Sequence, residues 1–283
     1  MQEDFPVKSS VFPVRPRRVT CLFAIIFLLS ACCARAHDPD DPRGFLPKAL
    51  ELGAQGKFDR SAEYLAKAPE GVEKDTLEIL RRLLAELDAN HVQPQAAVLF
   101  FHGVVSLRAG KPEQASREFS AAAALSPDYR DTYHMLGAIA SAAGRHEEAA
   151  GWWRKAVEIS PSDGEAYRQL AAAYRALGDT QAAVKYALKA AAAGVDSAGI
   201  FLSLGDGYVA LGQAVEAQKW YRQALRRDPG VGEAYLGIGF SYRLMGDRPR
   251  ARQNFARAHK MFQARGEWAA AARAQEYFDQ GEK

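Results

Sequence analysis

Residues 130–163 read RDTYHMLGAIASAAGRHEEAAGWWRKAVEISPSD. Tyr133, Leu136, Gly137 and Ala140 stand at i, i+3, i+4 and i+7, one stripe on a first helix. Gly144 ends that helix, because glycine takes a left-handed conformation without steric penalty. Ala149, Trp153 and Ala156 alternate small and large along a second helix, and Pro161 cannot continue it. The pattern is copied along the chain. Gly110, Gly144, Gly178, Gly212 and Gly246 each lie 34 residues after the last, the period of a helix-turn-helix repeat.

With each of these glycines at position 15 of its unit, the other residues fall into columns. Position 4 reads Leu99, Tyr133, Tyr167, Phe201 and Tyr235, and position 7 reads His102, Leu136, Leu170, Leu204 and Ile238. Position 8 is small throughout, as Gly103, Gly137, Ala171, Gly205 and Gly239, which lets a neighbouring helix come close. Alanine fills positions 20 and 27 in every unit. Position 24 carries Phe119, Trp153, Ala187, Tyr221 and Phe255. Three units close on Pro127, Pro161 or Pro229, whereas Val195 and Gln263 take that place in the third and fifth.

From Ala96 to about Arg265 these columns resemble the tetratricopeptide repeat family. The resemblance implies an all-α, right-handed α-solenoid of five units: 96–129, 130–163, 164–197, 198–231 and 232–265. The chain departs from the family pattern at His102 and Ser106 in the first unit, and at Ala187 and Val195 in the third. Alanine at position 24 predicts looser packing in that middle unit.

The flanks read as helical. Residues 44–95 hold a worn sixth unit from Phe45 to Pro69, around Gly56, then a helix from Asp75 to Leu87 outside the 34-residue register. An end repeat exposes an apolar face that has no neighbour, so a solenoid needs terminal caps. Residues 266–283 are expected to supply one as a capping helix and tail, with Trp268, Ala272 and Tyr277 or Phe278 turned inward.

The first 31 residues have the order of a secretory signal peptide: Arg15, Arg17 and Arg18, then an apolar run from Val19 to Ala31. That run is shorter than the ~20 residues needed to span a bilayer. It ends in Leu29-Ser30-Ala31-Cys32, which resembles a bacterial lipobox and implies acylation of Cys32. Cys33 rather than aspartate at the next position implies, by resemblance to enterobacterial sorting rules, an outer-membrane destination facing the periplasm. Ala34-Arg35-Ala36 is a competing site, whose cleavage would release a soluble periplasmic or secreted protein. An uncleaved anchor is the third possibility. Residues 32–43, acidic and broken by Pro39 and Pro42, read as a tether.

All three cysteines, Cys21, Cys32 and Cys33, lie in or beside the leader, so the repeats hold no disulfide framework or thiolate metal site. The full chain has 37 basic and 34 acidic residues. Removing Lys8, Arg15, Arg17 and Arg18 with Glu3 and Asp4 leaves 33 and 32, near neutrality. Such a balance excludes a strongly basic nucleic-acid binder. No paired-histidine metal motif, phosphate loop or nucleophile elbow is present, so no catalytic residue, metal, cofactor or small-molecule substrate is expected.

Function is then expected from the surface the repeats create. The resemblance implies a concave groove lined by the first helices. Its expected contact residues are Phe100, Val104 and Leu107 in the first unit, His134 in the second, and Arg168 and Arg175 in the third. Leu202 and Asp206 follow in the fourth, then Leu236, Phe240 and Arg243 in the fifth. Family members that bind chaperones grip a terminal carboxylate with groove lysines and asparagines. Neither residue type stands at these positions, so that activity is not carried over. The reading is a non-catalytic scaffold or assembly factor of the bacterial envelope that binds a protein or peptide and holds the membrane through an N-terminal lipid. An adaptor or regulator of envelope enzymes, such as those acting on peptidoglycan, is the alternative.

Overall fold

The computed structural model describes residues 42–68 and 74–280; the leader, Cys32 and most of the expected tether lie outside them. The described residues form fourteen helices and no strand. The first three are α1 (Pro42–Ala54), α2 (Phe58–Ala66) and α3 (Lys74–Asp88). Five pairs follow: α4 (Pro94–Arg108) with α5 (Pro112–Leu125), α6 (Arg130–Ala142) with α7 (His146–Ile159), and α8 (Gly164–Ala176) with α9 (Thr180–Ala192). Then come α10 (Ala198–Ala210) with α11 (Ala214–Arg227) and α12 (Gly232–Leu244) with α13 (Arg248–Ala264), and α14 (Trp268–Gln280) closes the array. From α4 onward each helix packs against the next in sequence, the layout of an α-solenoid.

The five column-15 glycines have φ between 71° and 80° and stop each first helix. The residue after each returns its N–H to the carbonyl five positions back: Lys111 to Ser106, Arg145 to Ala140, Asp179 to Tyr174, Gln213 to Tyr208 and Asp247 to Tyr242. This double closure satisfies carbonyls that a helix end would otherwise leave bare, and it sets the same turn in every unit. Asp163, Asp179, Ser197 and Asp247 cap the starts of α8, α9, α10 and α13 through their side chains.

Columns 8 and 24 meet inside four of the five pairs. A Cβ added at Gly103, Gly137, Gly205 or Gly239 would stand 2.7, 2.6, 2.4 or 2.5 Å from the ring of Phe119, Trp153, Tyr221 or Phe255. Only a hydrogen fits there. A second layer lies beside it, where Trp152 packs on Tyr133, Tyr186 on Tyr167 and Tyr174, and Trp220 on Phe201.

Two expectations at the ends need correction. Pro42 and Arg43, read as tether, already belong to α1, since proline is tolerated in the first turn of a helix. In α14 the buried residues are Ala271 and Ala274, whereas Ala272 is exposed and Trp268 is 68% exposed. Small residues let α14 lie close on α13, where His259 meets the Ala271 carbonyl at 2.8 Å, and this turns Trp268 outward. Tyr277 does face inward, edge-on to Phe240 at 4.9 Å.

Candidate functional site

The face of each first helix that looks along column 24 is built by columns 5, 8, 9 and 12, and what stands there decides what the groove offers. In the first unit, columns 5 and 9 are Phe100 and Val104. The structure buries both, at 0% and 4% exposure, so they are not groove contacts. An apolar side chain at column 5 folds over the column-24 ring: Phe100 sits edge-on to Phe119 at 5.3 Å and to Tyr129 at 5.2 Å. Leu107 remains half-buried.

In the second unit column 5 is His134. Its Nε2 lies 2.7 Å from Asp163 Oδ2, and its ring is edge-on to Trp153 at 5.1 Å. Asp163 also accepts from the Ala166 N–H at 2.9 Å and lies 3.5 Å from Arg130, so His134 is tied into a joint between units. His102, in the core column, is half-buried, and burial lowers its pKa while the charge of Glu118 opposes that shift.

In the fourth unit column 9 is Asp206, whose carboxylate accepts the Tyr221 hydroxyl at 2.7 Å. Loss of solvation raises its pKa, and the Tyr221 hydrogen bond and the charge of Arg175 pull it back. Leu202 and Leu236 are half-buried. Phe240 is held edge-on between Phe255 and Tyr277, with the Arg243 guanidinium 4.7 Å from its ring centre. The last unit therefore presents an arginine above an aromatic cluster rather than a bare apolar end.

The third unit differs from all the others. Column 24 is Ala187, and a pocket of about 330 Å³ opens where the ring would lie. Its α8 wall is columns 5, 8, 9 and 12 in turn: Arg168, Ala171, Ala172 and Arg175. Arg168 is pinned to Glu165, with Nε to Oε2 at 2.8 Å and a second bond to Oε1 at 2.5 Å, and this lowers the Glu165 pKa. Arg175 is exposed and makes no hydrogen bond or ion pair with any described residue. Asp131, a possible groove partner for the arginines, is instead taken by Arg82 at 2.8 Å and Arg130 at 3.1 Å. The sequence exposed the alanine and both arginines. That they share one cavity requires knowing that columns 5, 9 and 12 encircle column 24.

No group of three or more metal-ligating side chains and no helix long and apolar enough to cross a membrane occurs among the described residues.

A repeat solenoid of this construction, with a polar face open on its first helices, is a scaffold for protein–protein interaction. Residues 102–164 and 198–230 each match a family profile described as tetratricopeptide repeat. Both stretches are tetratricopeptide repeats, and repeats of this kind are generally non-catalytic interaction modules. No curated protein matches the sequence. Solved structures similar in fold include a MamA protein, 24% identical over 62% of this chain and 95% of that one, with a TM-score of 0.57. MamA 41-end from Desulfovibrio magneticus RS-1 is 19% identical over 60% of this chain and 96% of its own, with a TM-score of 0.55. YrrB, described as a TPR protein with an unusual peptide-binding site, is 17% identical over 63% and 90%, with a TM-score of 0.57.

Proposed function

We propose that this protein is an exported, lipid-anchored scaffold or assembly factor of the bacterial cell envelope that holds a peptide or helix of a client protein in its first-helix groove. The observation that carries the peptide reading is the positive stripe of Arg168, Arg175 and Arg243, in which Arg175 makes no ion pair or hydrogen bond with any described residue and feels only the charge of Asp206. Arg168 and Arg175 stand seven residues apart, two turns of one helix, so they project about 10 Å apart on the same side. Arg243 repeats the column of Arg175 two units later. Groove arginines of this kind fix the register of an acidic segment, with affinity coming from apolar contacts beside them. A peptide site described for YrrB, which shares the fold, is in keeping with this reading. The export and anchor reading rests on the basic-then-apolar leader and on Leu29-Ser30-Ala31-Cys32.

The test is affinity capture from envelope extracts with the leader intact. The double variant Arg168→Glu, Arg175→Glu is expected to lose client capture while keeping helicity and melting temperature close to wild type. Arg175 has no hydrogen bond or ion pair to lose, and the Arg168–Glu165 pair is an exposed i, i+3 contact, a class worth at most about 1 kcal/mol. A client that still binds the folded double variant would put the binding surface elsewhere.

A further inference from the structure

In four of the five units an aromatic ring at column 24 presses on a glycine at column 8. The third unit has alanine at both positions, Ala171 and Ala187, and holds the 330 Å³ pocket at that place. The opposite wall, from α10, is equally small. Gly199 and Ser203 stand where neighbouring units carry Glu165 or Glu233 and Gln169. In the next unit the matching column is Gly237, and the Tyr221 ring fills that space to within 2.2 Å of a built Cβ. The pocket thus lies at the position that a ring fills elsewhere in the same molecule. Its floor is buried at Ala171, Ala187 and Ile200, and its rim is exposed at Arg175 and Gly199.

We infer that this pocket is the anchor site for a client peptide, taking one aromatic side chain as the missing knob, with an acidic residue next to that aromatic on Arg175. The inference rests on the groove reading above and names what the groove selects. A phenyl ring entering between Arg168 and Arg175 replaces water on alanine, isoleucine and glycine surface, and it meets guanidinium groups that favour an aromatic face. Arg168 is already held by Glu165, so Arg175 is the cation left for the neighbouring carboxylate. The ~300–1,000 Å³ of ordinary ligand pockets places this one at the small end, room for a single anchor rather than a helix. A ring alone would not choose this site over other apolar surfaces, and a carboxylate alone would be screened. The pair, adjacent in sequence, satisfies both walls.

The experiment selects a displayed random seven-residue peptide library on the full-length protein in detergent, and measures the enriched peptides by fluorescence anisotropy. The control is Ala171→Gly with Ala187→Phe, which rebuilds the glycine–aromatic pair of the other units and fills the hole from within. Its melting temperature is expected to equal or exceed that of wild type, so lost binding cannot be lost folding. Enriched peptides are expected to carry an aromatic beside an acidic residue. Replacing that aromatic by alanine, or filling the pocket, should weaken binding roughly 10- to 100-fold, the scale of burying one large apolar side chain. Arg175→Gln should weaken it by a smaller factor and remove the preference for the acid. Peptides that bind the filled variant unchanged would overturn the pocket assignment and leave the groove reading standing. A selection that enriches no peptide at all would overturn both.

Discussion

Tyr221 shows how one side chain serves three helices. It is 1% exposed, its ring lies between Gly205 of its own unit and Gly237 of the next, and its hydroxyl donates to Asp206. Tyr221→Ala is expected to cost about 3–5 kcal/mol, because neither glycine wall can collapse into the space. Gly205→Ala attacks the same contact from the other side, with its Cβ 2.4 Å from the ring, and overpacking of that kind costs about 1–3 kcal/mol. Urea denaturation measures both, and a Tyr221→Ala variant within about 0.5 kcal/mol of wild type, the ordinary range for surface substitutions, would contradict the sandwich. The residue scale is also where the sequence is hardest to read. Phe100 and Val104 share columns with His134, Arg168, Asp206 and Phe240. Those columns adjoin the column-24 ring, so chemistry decides the direction: a phenyl group folds into the core, while a charged group stays at its edge. The resemblance assigns all of them to the groove, and only the packing separates them.

At the scale of the element, the repeat boundaries were legible because each depends on a single local rule. A left-handed glycine and the bond behind it stop the first helix wherever the 34-residue register puts them. The N-terminal helices were less legible. α3 lies outside the register, yet Leu84 presses on Gly53 of α1 much as the column-24 rings press on column 8, a pairing across helices that no fixed spacing announces. The middle unit combines a weakness with a compensation. Its inner layer lacks a ring at Ala187, but Tyr186 one position earlier stacks on Tyr174 at 5.3 Å and on Tyr167 at 6.3 Å. The stack holds one side of α9, and the pocket thins the packing beside Ala187 on the other. Hydrogen exchange is therefore expected to show the amides of 181–194 opening before those of α7 and α11, since local opening follows the density of buried contacts. Equal protection in the three helices would mean that the tyrosine stack fully offsets the missing ring. A client peptide seated in the pocket should slow this exchange selectively, because a ligand that binds only the closed form stabilises it.

At the scale of the whole molecule, the apolar core runs as a chain of clusters along the solenoid rather than as one centre, and each end must be closed. The C-terminal end is closed by α14 through Ala271, Ala274 and Tyr277, which leaves Trp268 exposed. That outcome follows from small residues allowing close helix approach, an effect the amphipathic pattern of residues 267–278 did not reveal. Among the described residues the N-terminal end begins at α1, whose first residue is Pro42. The proposed membrane attachment rests on Leu29-Ser30-Ala31-Cys32, which lies outside the described residues. One acyl chain gives only marginal, reversible binding. Two or more, each contributing about 0.8 kcal/mol per buried methylene, anchor stably. Mass spectrometry of the protein purified from membranes is expected to find an N-terminus at Cys32 carrying a diacylglycerol adduct. Cys32→Ala should move the protein out of the membrane fraction while leaving the helicity of the repeats unchanged, because Cys32 precedes the first repeat by more than sixty residues in sequence. An unmodified N-terminus at His37 would show that Ala34-Arg35-Ala36 is the cleavage site, and the scaffold would then work free of the membrane.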